Sequence, residues 1–202
     1  MFEDEMERGM LGEVRPKKRI PLARARRLAT RICRAVRPLV DFSMVVGSIR
    51  RKRPETADIE LVVLPKDVDD FVEIMREEGY LGGDRKLWSW IDGVKVELYL
   101  AHDPDELGGL ILMYTGDWIW NVATRSIAKR RGEKLDQYGF WRSGKLVFQS
   151  PYEEDFFDYL GLPYHLPEDR SLAARKKGEE PRRGVKGPRE RRRDICDIDE
   201  EE

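Results

Sequence analysis

Asp58 and Glu60 stand one residue apart at the head of an apolar run, DIELVVL, and a Gly-Ser-x-Arg-Arg stretch (Gly47, Ser48, Arg50, Arg51) lies just before them. In a strand, residues two apart share a face. The two carboxylates therefore point the same way, with Ile59, Leu61 and Val63 turned to the core. A later run, VKVELYL (residues 94–100), alternates likewise: Val94, Val96, Leu98 and Leu100 on one face, Lys95, Glu97 and Tyr99 on the other. If the two strands are neighbours, Glu97 joins Asp58 and Glu60. Three crowded carboxylates raise one another's pKa unless a cation neutralises them. Oxygen ligands without nitrogen or sulphur nearby point to Mg²⁺ or Mn²⁺ rather than zinc, and two such ions can hold an attacking oxygen and a leaving phosphate in line. The preceding loop supplies phosphate chemistry. Gly47 allows a tight turn, Ser48 donates through its hydroxyl and backbone, and Arg50 and Arg51 offer forked donors to phosphate oxygens.

These groups need elements to position them. From Pro21, the residues Leu22, Ala25, Leu28, Ala29, Ile32, Val36 and Leu39 trace a helical stripe that Pro38 should end near Arg37. SMVV (43–46) and DIELVVL (58–64) read as buried strands, and DVDDFVEIMREEG (67–79) as an amphipathic helix. KLWSWI and VKVELYL, joined by Asp92-Gly93, have a hairpin signature. Helices are expected around 104–113 and 118–131, a small hairpin about Ser143-Gly144, and a short helix at EEDFFDYLG. On the helix after Asp117, a plausible N-cap, Ile119, Ala123 and Ile127 fall on one side with Trp120 beside them. Trp118, Asn121 and Arg125 fall opposite, where an aromatic, an amide and a guanidinium can stack on a base and bond its edge.

Charge is segregated along the chain. The net charge is −1, yet residues 14–53 hold 14 Lys/Arg against one acid, and residues 54–122 hold 16 acids against five bases. A basic front and an acidic middle point to a polyanionic partner and a cation-binding centre. The first helix carries Arg24, Arg26, Arg27, Arg31, Arg34 and Arg37 and no acid, which favours nucleic-acid contact over an ordinary solvated face. Cys33 and Cys196, far apart, fit a reduced chain without a disulfide framework, and the isolated His102 and His165 argue against zinc. No run reaches membrane-spanning length and no apolar signal core follows a charged start, so a soluble, intracellular (cytoplasmic) protein is expected. Residues 1–19 read as a flexible charged arm, and 170–202 as a disordered charged tail.

Taken together, GS-x-RR, D-x-E and the later Glu resemble family X DNA polymerases, the polymerase-beta-like branch of the nucleotidyltransferases. The resemblance continues in MYTGDWIWNVATR (113–125) and in EEDFFDYLGLPYHLPEDR (153–170), and spans roughly residues 20–170. It implies an α+β fold: a nucleotidyltransferase palm, a mixed β-sheet flanked by helices, over 20–104, and a small helical/β C-terminal subdomain over 105–169 that binds nucleotide and template. It further implies Trp118 near the incoming base, Asn121 on the nucleotide, Arg125 on the template, and Tyr114, Thr115 and Gly116 lining the sugar. Met113 stands where the family commonly has an aromatic, and Glu60 and Glu97 where it has Asp. The lyase and helix-hairpin-helix domains are not expected, as in the minimal, virus-type members.

The reading that follows is a DNA-directed DNA polymerase filling short gaps in repair. Asp58, Glu60 and Glu97 hold two Mg²⁺ or Mn²⁺ ions. Gly47, Ser48 and Arg51 hold the phosphates of a dNTP, and Arg24, Arg27, Arg31 and Arg125 contact gapped or primed duplex DNA. A monomer without membrane contact is expected. Template-independent or RNA-end addition, and a non-catalytic DNA-end binding module, are the alternatives.

Overall fold

The computed structural model describes residues 19–170. The expected arm and tail, Arg19 and Arg170 apart, lie outside the described residues, as does Cys196. In chain order the elements are β1 (Ile20–Pro21), α1 (Leu22–Val36), β2 (Val40–Val45), a single helical turn α2 (Gly47–Arg50), β3 (Glu55–Thr56), β4 (Asp58–Pro65), α3 (Val68–Glu77), β5 (Leu81–Gly83), β6 (Lys86–Ile91) and β7 (Val94–Leu100). Then follow α4 (Leu107–Thr115), α5 (Trp118–Arg130), β8 (Lys134–Asp136), β9 (Gly139–Arg142), β10 (Lys145–Phe148) and α6 (Glu153–Leu160). The long elements match the sequence patterns, except that β2 begins at Val40, three residues before the expected strand. The two-residue strands β1 and β3, and the three-residue strands β5 and β8, were not expected, because such short pairings leave no periodicity to read.

Five strands form one mixed sheet in the order β2-β4-β7-β6-β5, with β4 and β7 parallel and the other neighbours antiparallel. Asp92 and Gly93 both have positive φ, 52° and 76°, as a two-residue hairpin turn requires. Ser143 and Gly144 do the same between β9 and β10, at 51° and 75°. One face of the sheet (Ile59, Leu61, Val63, Val94, Val96, Leu98, Leu100) is covered by Leu28, Ala29 and Ile32 of α1 and Phe71, Val72 and Met75 of α3. On the other, Val62 and Tyr99 pack with Leu107, Leu110 and Ile111 of α4. A third apolar cluster joins Leu112, Met113 and Trp120 to Phe140, Phe156, Phe157 and Leu160 around β8–β10 and α6. The fold is α+β, a mixed sheet flanked by helices.

One face assignment is corrected. The buried line of α5 is Trp120, Thr124 and Ala128 rather than Ile119, Ala123 and Ile127. Thr124 can take a core position because its hydroxyl donates back to the carbonyls of Trp120 and Asn121, at 3.2 and 3.1 Å. Asp117 caps this helix as expected, accepting from the Trp120 amide at 2.9 Å. No helix among the described residues is long and apolar enough to cross a membrane.

Candidate active site

The parallel β4–β7 ladder sets Glu60 directly opposite Glu97, with Asp58 opposite Lys95. By parity, Asp58, Glu60 and Glu97 lie on the α4 side of the sheet, together with Tyr99. The Tyr99 hydroxyl stands 3.2 Å from Glu97 Oε2 and 3.4 Å from Glu60 Oε1. Its ring stacks on Tyr114, centroids 3.4 Å apart. Burial, then the charges of Asp58 and Glu97, pushes the Glu60 carboxyl up to about 8. Glu97 moves the other way. Burial pushes it up, but Lys86 and Lys95, 3.0 and 3.1 Å from its Oε1, outweigh burial and hold it below its usual value.

A hard divalent cation suits this donor set in part. Glu60 is half-buried beside two further carboxylates with too little positive charge to offset them, which is the condition an added cation relieves. Glu97, however, is already neutralised by two lysines. Among the described residues no three Asp, Glu, His or Cys side chains converge closely enough to hold an ion. Asp58 and Glu60, two residues apart on one face of β4, carry oxygen donors of the kind such a cation takes, while at Glu97 two lysines already stand where it would be.

The loop ahead of β4 is built round Gly47, at φ +63°, where a Cβ would fall 1.8 Å from Glu60 Oε2. Absence of a side chain at 47 is what gives the Glu60 carboxylate its room. The Ser48 hydroxyl bonds that of Thr56, and Thr56 Oγ1 donates to the Asp58 carbonyl at 2.6 Å, tying the loop to the first residue of β4. Arg51 donates from Nη1 to the Thr115 carbonyl at 2.6 Å, while its buried Nε has no partner. Burial holds the pKa of Arg51 below its usual value, against the pull of Glu60 and Asp117.

Arg50 departs from expectation. Instead of offering a fork to phosphate, it is paired with Glu153, through Nη2 to Oε1 and through Nη1 to Oε2 at 3.1 Å, and Nη1 also reaches Thr115 Oγ1 at 2.6 Å. Glu153 further accepts from Arg170 at 2.9 Å and Tyr164 at 2.8 Å. An acid 103 residues away claims the arginine, which local spacing cannot show.

A cleft of about 390 Å³ opens beside the carboxylates, lined by Arg51, Glu60, Tyr99, Tyr114, Gly116 and Trp118, with Asn121, Arg125 and Gln137 further along. Trp118 is 76% exposed at its mouth. Asn121 donates to the Met113 carbonyl at 2.7 Å, and its buried Oδ1 has no partner. A Cβ on Gly116 would stand 2.6 Å from that oxygen. Of the residues singled out in the sequence, the cleft gathers Glu60, Arg51, Tyr114, Gly116, Trp118, Asn121 and Arg125. Gly47 abuts Glu60, Ser48 is held through Thr56, and Asp58 and Glu97 adjoin on the strands. Arg24, Arg27 and Arg31 are elsewhere, on the outer face of α1. Lys86, Lys95, Thr56, Gln137 and Glu153 were missed. For Lys86 a signal exists: the two-residue turn at 92–93 fixes a register that sets Lys86 against Tyr99 and Trp88 against Glu97.

Residues 110–171 match the DNA polymerase beta thumb family. The chain is 37% identical over 155 residues to DNA polymerase IV of Saccharomyces cerevisiae, covering 66% of this chain and 26% of that protein. It is 28% identical over 174 residues to DNA polymerase/3'-5' exonuclease PolX of Bacillus subtilis, covering 79% and 30%. These matches span about a quarter to a third of the two longer relatives. Against Repair DNA polymerase X of African swine fever virus, identity is 24% over 140 residues, covering 63% of this chain and 80% of the viral protein. The fold is shared with Leishmania infantum polymerase beta in a ternary P/T complex, at a TM-score of 0.61 and 20% identity over 76% of this chain and 77% of that one. Thumb match, curated relatives and common fold agree with the carboxylate strands and the cleft beside them, and together they support a family X-like, polymerase-beta-like polymerase.

Proposed function

We propose that this chain is a DNA-directed DNA polymerase that adds nucleotides to a DNA 3′ end, filling short gaps in repair. The observation that carries the reading is the in-register pairing of Glu60 and Glu97, with Asp58 two residues along, at the wall of a cleft that also presents Arg51, Trp118, Asn121 and Arg125. In this reading the chain comprises a palm over 20–104 and a nucleotide- and template-binding subdomain over 105–169. Asp58 and Glu60, with Glu97 once it gives up a lysine, would hold two Mg²⁺ or Mn²⁺ ions, which would supply the positive charge that favours attack by the primer's 3′ hydroxyl and departure of pyrophosphate. Ser48 and Arg51 hold the phosphates of a dNTP, the unpartnered Arg51 Nε being a donor with nothing yet to bond. Tyr114 and Gly116 flank the sugar, Trp118 offers its exposed face to the base, the unpartnered Asn121 Oδ1 accepts from the nucleotide, and Arg125 reaches the template.

Primer extension on gapped, recessed and single-stranded DNA, with Mg²⁺ or Mn²⁺ and with dNTPs or NTPs, tests this. Template-dictated dNTP incorporation is expected, strongest on the gap. Asp58→Asn and Glu60→Gln should each lower it by about 100-fold or more while circular dichroism and DNA binding persist. Full activity in either variant overturns the site. Untemplated or NTP addition replaces the acceptor and substrate assigned here, and binding without incorporation leaves only a DNA-end module.

A further inference from the structure

The arginines of α1 do not face the cleft. Ala25, Leu28, Ala29, Ile32, Cys33 and Val36 bury the inner side of this helix against the sheet face that carries Ile59, Leu61, Val96 and Leu98. The carboxylates occupy the opposite face, with Val62 and Tyr99. Arg24, Arg27, Arg31 and Arg34 are exposed on the far side of α1. They are separated from the cleft by the sheet and by the helix body, itself about 10–12 Å across. Spaced three, four and three residues apart, they form one stripe about 15 Å long at 1.5 Å per residue.

This stripe is unfavourable to the helix that bears it. Arg24 and Arg27, Arg27 and Arg31, and Arg31 and Arg34 are like-charge pairs at helical-neighbour spacing, each costing about 0.2–0.5 kcal/mol. Arg24 also sits near the positive end of the helix dipole, and no acid lies in the first turn. Part of the charge is answered: Arg31 pairs with Asp92 Oδ2 at 2.8 Å, Arg24 reaches the Asp92 carbonyl at 3.4 Å, and Arg34 is engaged as well. The remaining exposed residues of this face are Ala23 and Ala35. It lacks the aromatic and apolar centre that a protein partner requires. Guanidinium groups in a row, without apolar neighbours, match the phosphates of a nucleic-acid backbone.

We infer that the α1 stripe is a second DNA-binding surface, taking the phosphate backbone of duplex that extends beyond the cleft. This rests on the polymerase reading for the choice of DNA as the polyanion. Geometry supplies a route: Asp58, Glu60 and the β6–β7 turn share one end of the sheet, since Asp58 pairs with Lys95 just past Gly93. Duplex leaving the cleft over that end meets Arg24 and Arg31 first, and Arg27 and Arg34 beyond.

The test compares the full chain with Arg27→Ala/Arg34→Ala, which leaves the contacts to Asp92 in place, on a short primed duplex and on a long one across a salt series. For the long duplex the double variant should bind more weakly at low salt. Its slope of log affinity against log salt should fall by about one for each phosphate that the variant no longer neutralises. The short duplex should bind both proteins alike, and matching thermal melts establish equal folding. An unchanged slope on the long duplex overturns the inference, and so does equal weakening on both lengths, which moves these arginines into the grip of the cleft. Nucleotide incorporation by the unmodified chain is measured alongside. Incorporation with an unchanged slope retires the surface and keeps the polymerase; a reduced slope without incorporation keeps the surface and retires the polymerase.

Discussion

At the scale of single residues, the site depends on a side chain that is absent. Gly47 holds φ +63°, and its missing Cβ is the space in which Glu60 Oε2 sits. In Gly47→Ala the new methyl meets the end of a flexible side chain, so Glu60 swings aside rather than the fold breaking. The left-handed backbone adds about 1–2 kcal/mol of strain. The expected result is a modest drop in melting temperature and a loss of incorporation close to that of Glu60→Gln. The diagnostic is the double variant Gly47→Ala/Glu60→Asp. Its shorter carboxylate clears the methyl, so the two changes should cost less together than the sum of their separate costs in stability. Strict additivity would mean that Gly47 does not hold Glu60 in place. The Ser48–Thr56–Asp58 chain acts at the same scale, joining the phosphate loop to β4 through two hydroxyls, of which sequence spacing singles out only that of Ser48.

Among the elements, α4 carries the join between sheet and cleft, and its sequence, LGGLILMYT, shows how. Gly108 and Gly109 let the chain at Ser150–Tyr152 and Gln137 approach the helix axis: a Cβ on Gly108 would meet the Ser150 carbonyl oxygen at 2.3 Å and the Tyr152 carbonyl carbon at 2.7 Å. In an exposed helix Gly→Ala gains about 0.8–1.0 kcal/mol. Here the obstacle is backbone, which cannot step aside, and overpacking costs about 1–3 kcal/mol. Gly108→Ala should therefore lower the urea midpoint, the reverse of its ordinary sign; a raised midpoint would show that the 150–152 segment yields freely. The elements divide by how much of their pattern is local. The Asp58/Glu60 and Glu97 alternation, both two-residue hairpin turns and the α1 stripe follow from spacing alone, because one buried face fixes each. The buried line of α5 escapes, since Thr124 satisfies its own hydroxyl within the helix and so behaves as a core residue. Strands β1 and β3 escape because two residues hold no period. Strand alternation puts Lys95 on the face of Glu97, and the hairpin register puts Lys86 across from Tyr99 beside it, but spacing does not show that both lysines close on the carboxylate.

Over the whole molecule, one buried ion network ties the start of the phosphate loop to the far end of the described chain. Glu153, on α6, is 2% exposed and accepts from Arg50, Arg170 and Tyr164, while Arg50 also reaches Thr115 at the end of α4. Arg170 is itself fully buried, so the charges are mutually dependent. Burial pushes the Glu153 carboxyl up, but Arg170 and then Arg50 pull it well below the usual carboxylate range. Unfolded, the same group titrates near about 4.3. Because the folded value is the lower one, this carboxylate contributes stability that is complete above the unfolded value. That stability is lost as pH falls through the unfolded value toward the folded one. Urea denaturation in a pH series should show this contribution level from neutrality to about pH 5 and declining below it. Glu153→Gln leaves Arg50 and Arg170 buried without their carboxylate and should cost about 3–5 kcal/mol at neutral pH. It should also remove that part of the acid dependence, so the two stability curves converge as pH drops. Curves that stay parallel from about pH 6 to about pH 3 would mean that Glu153 titrates alike in both states and that the network does not hold these four segments together.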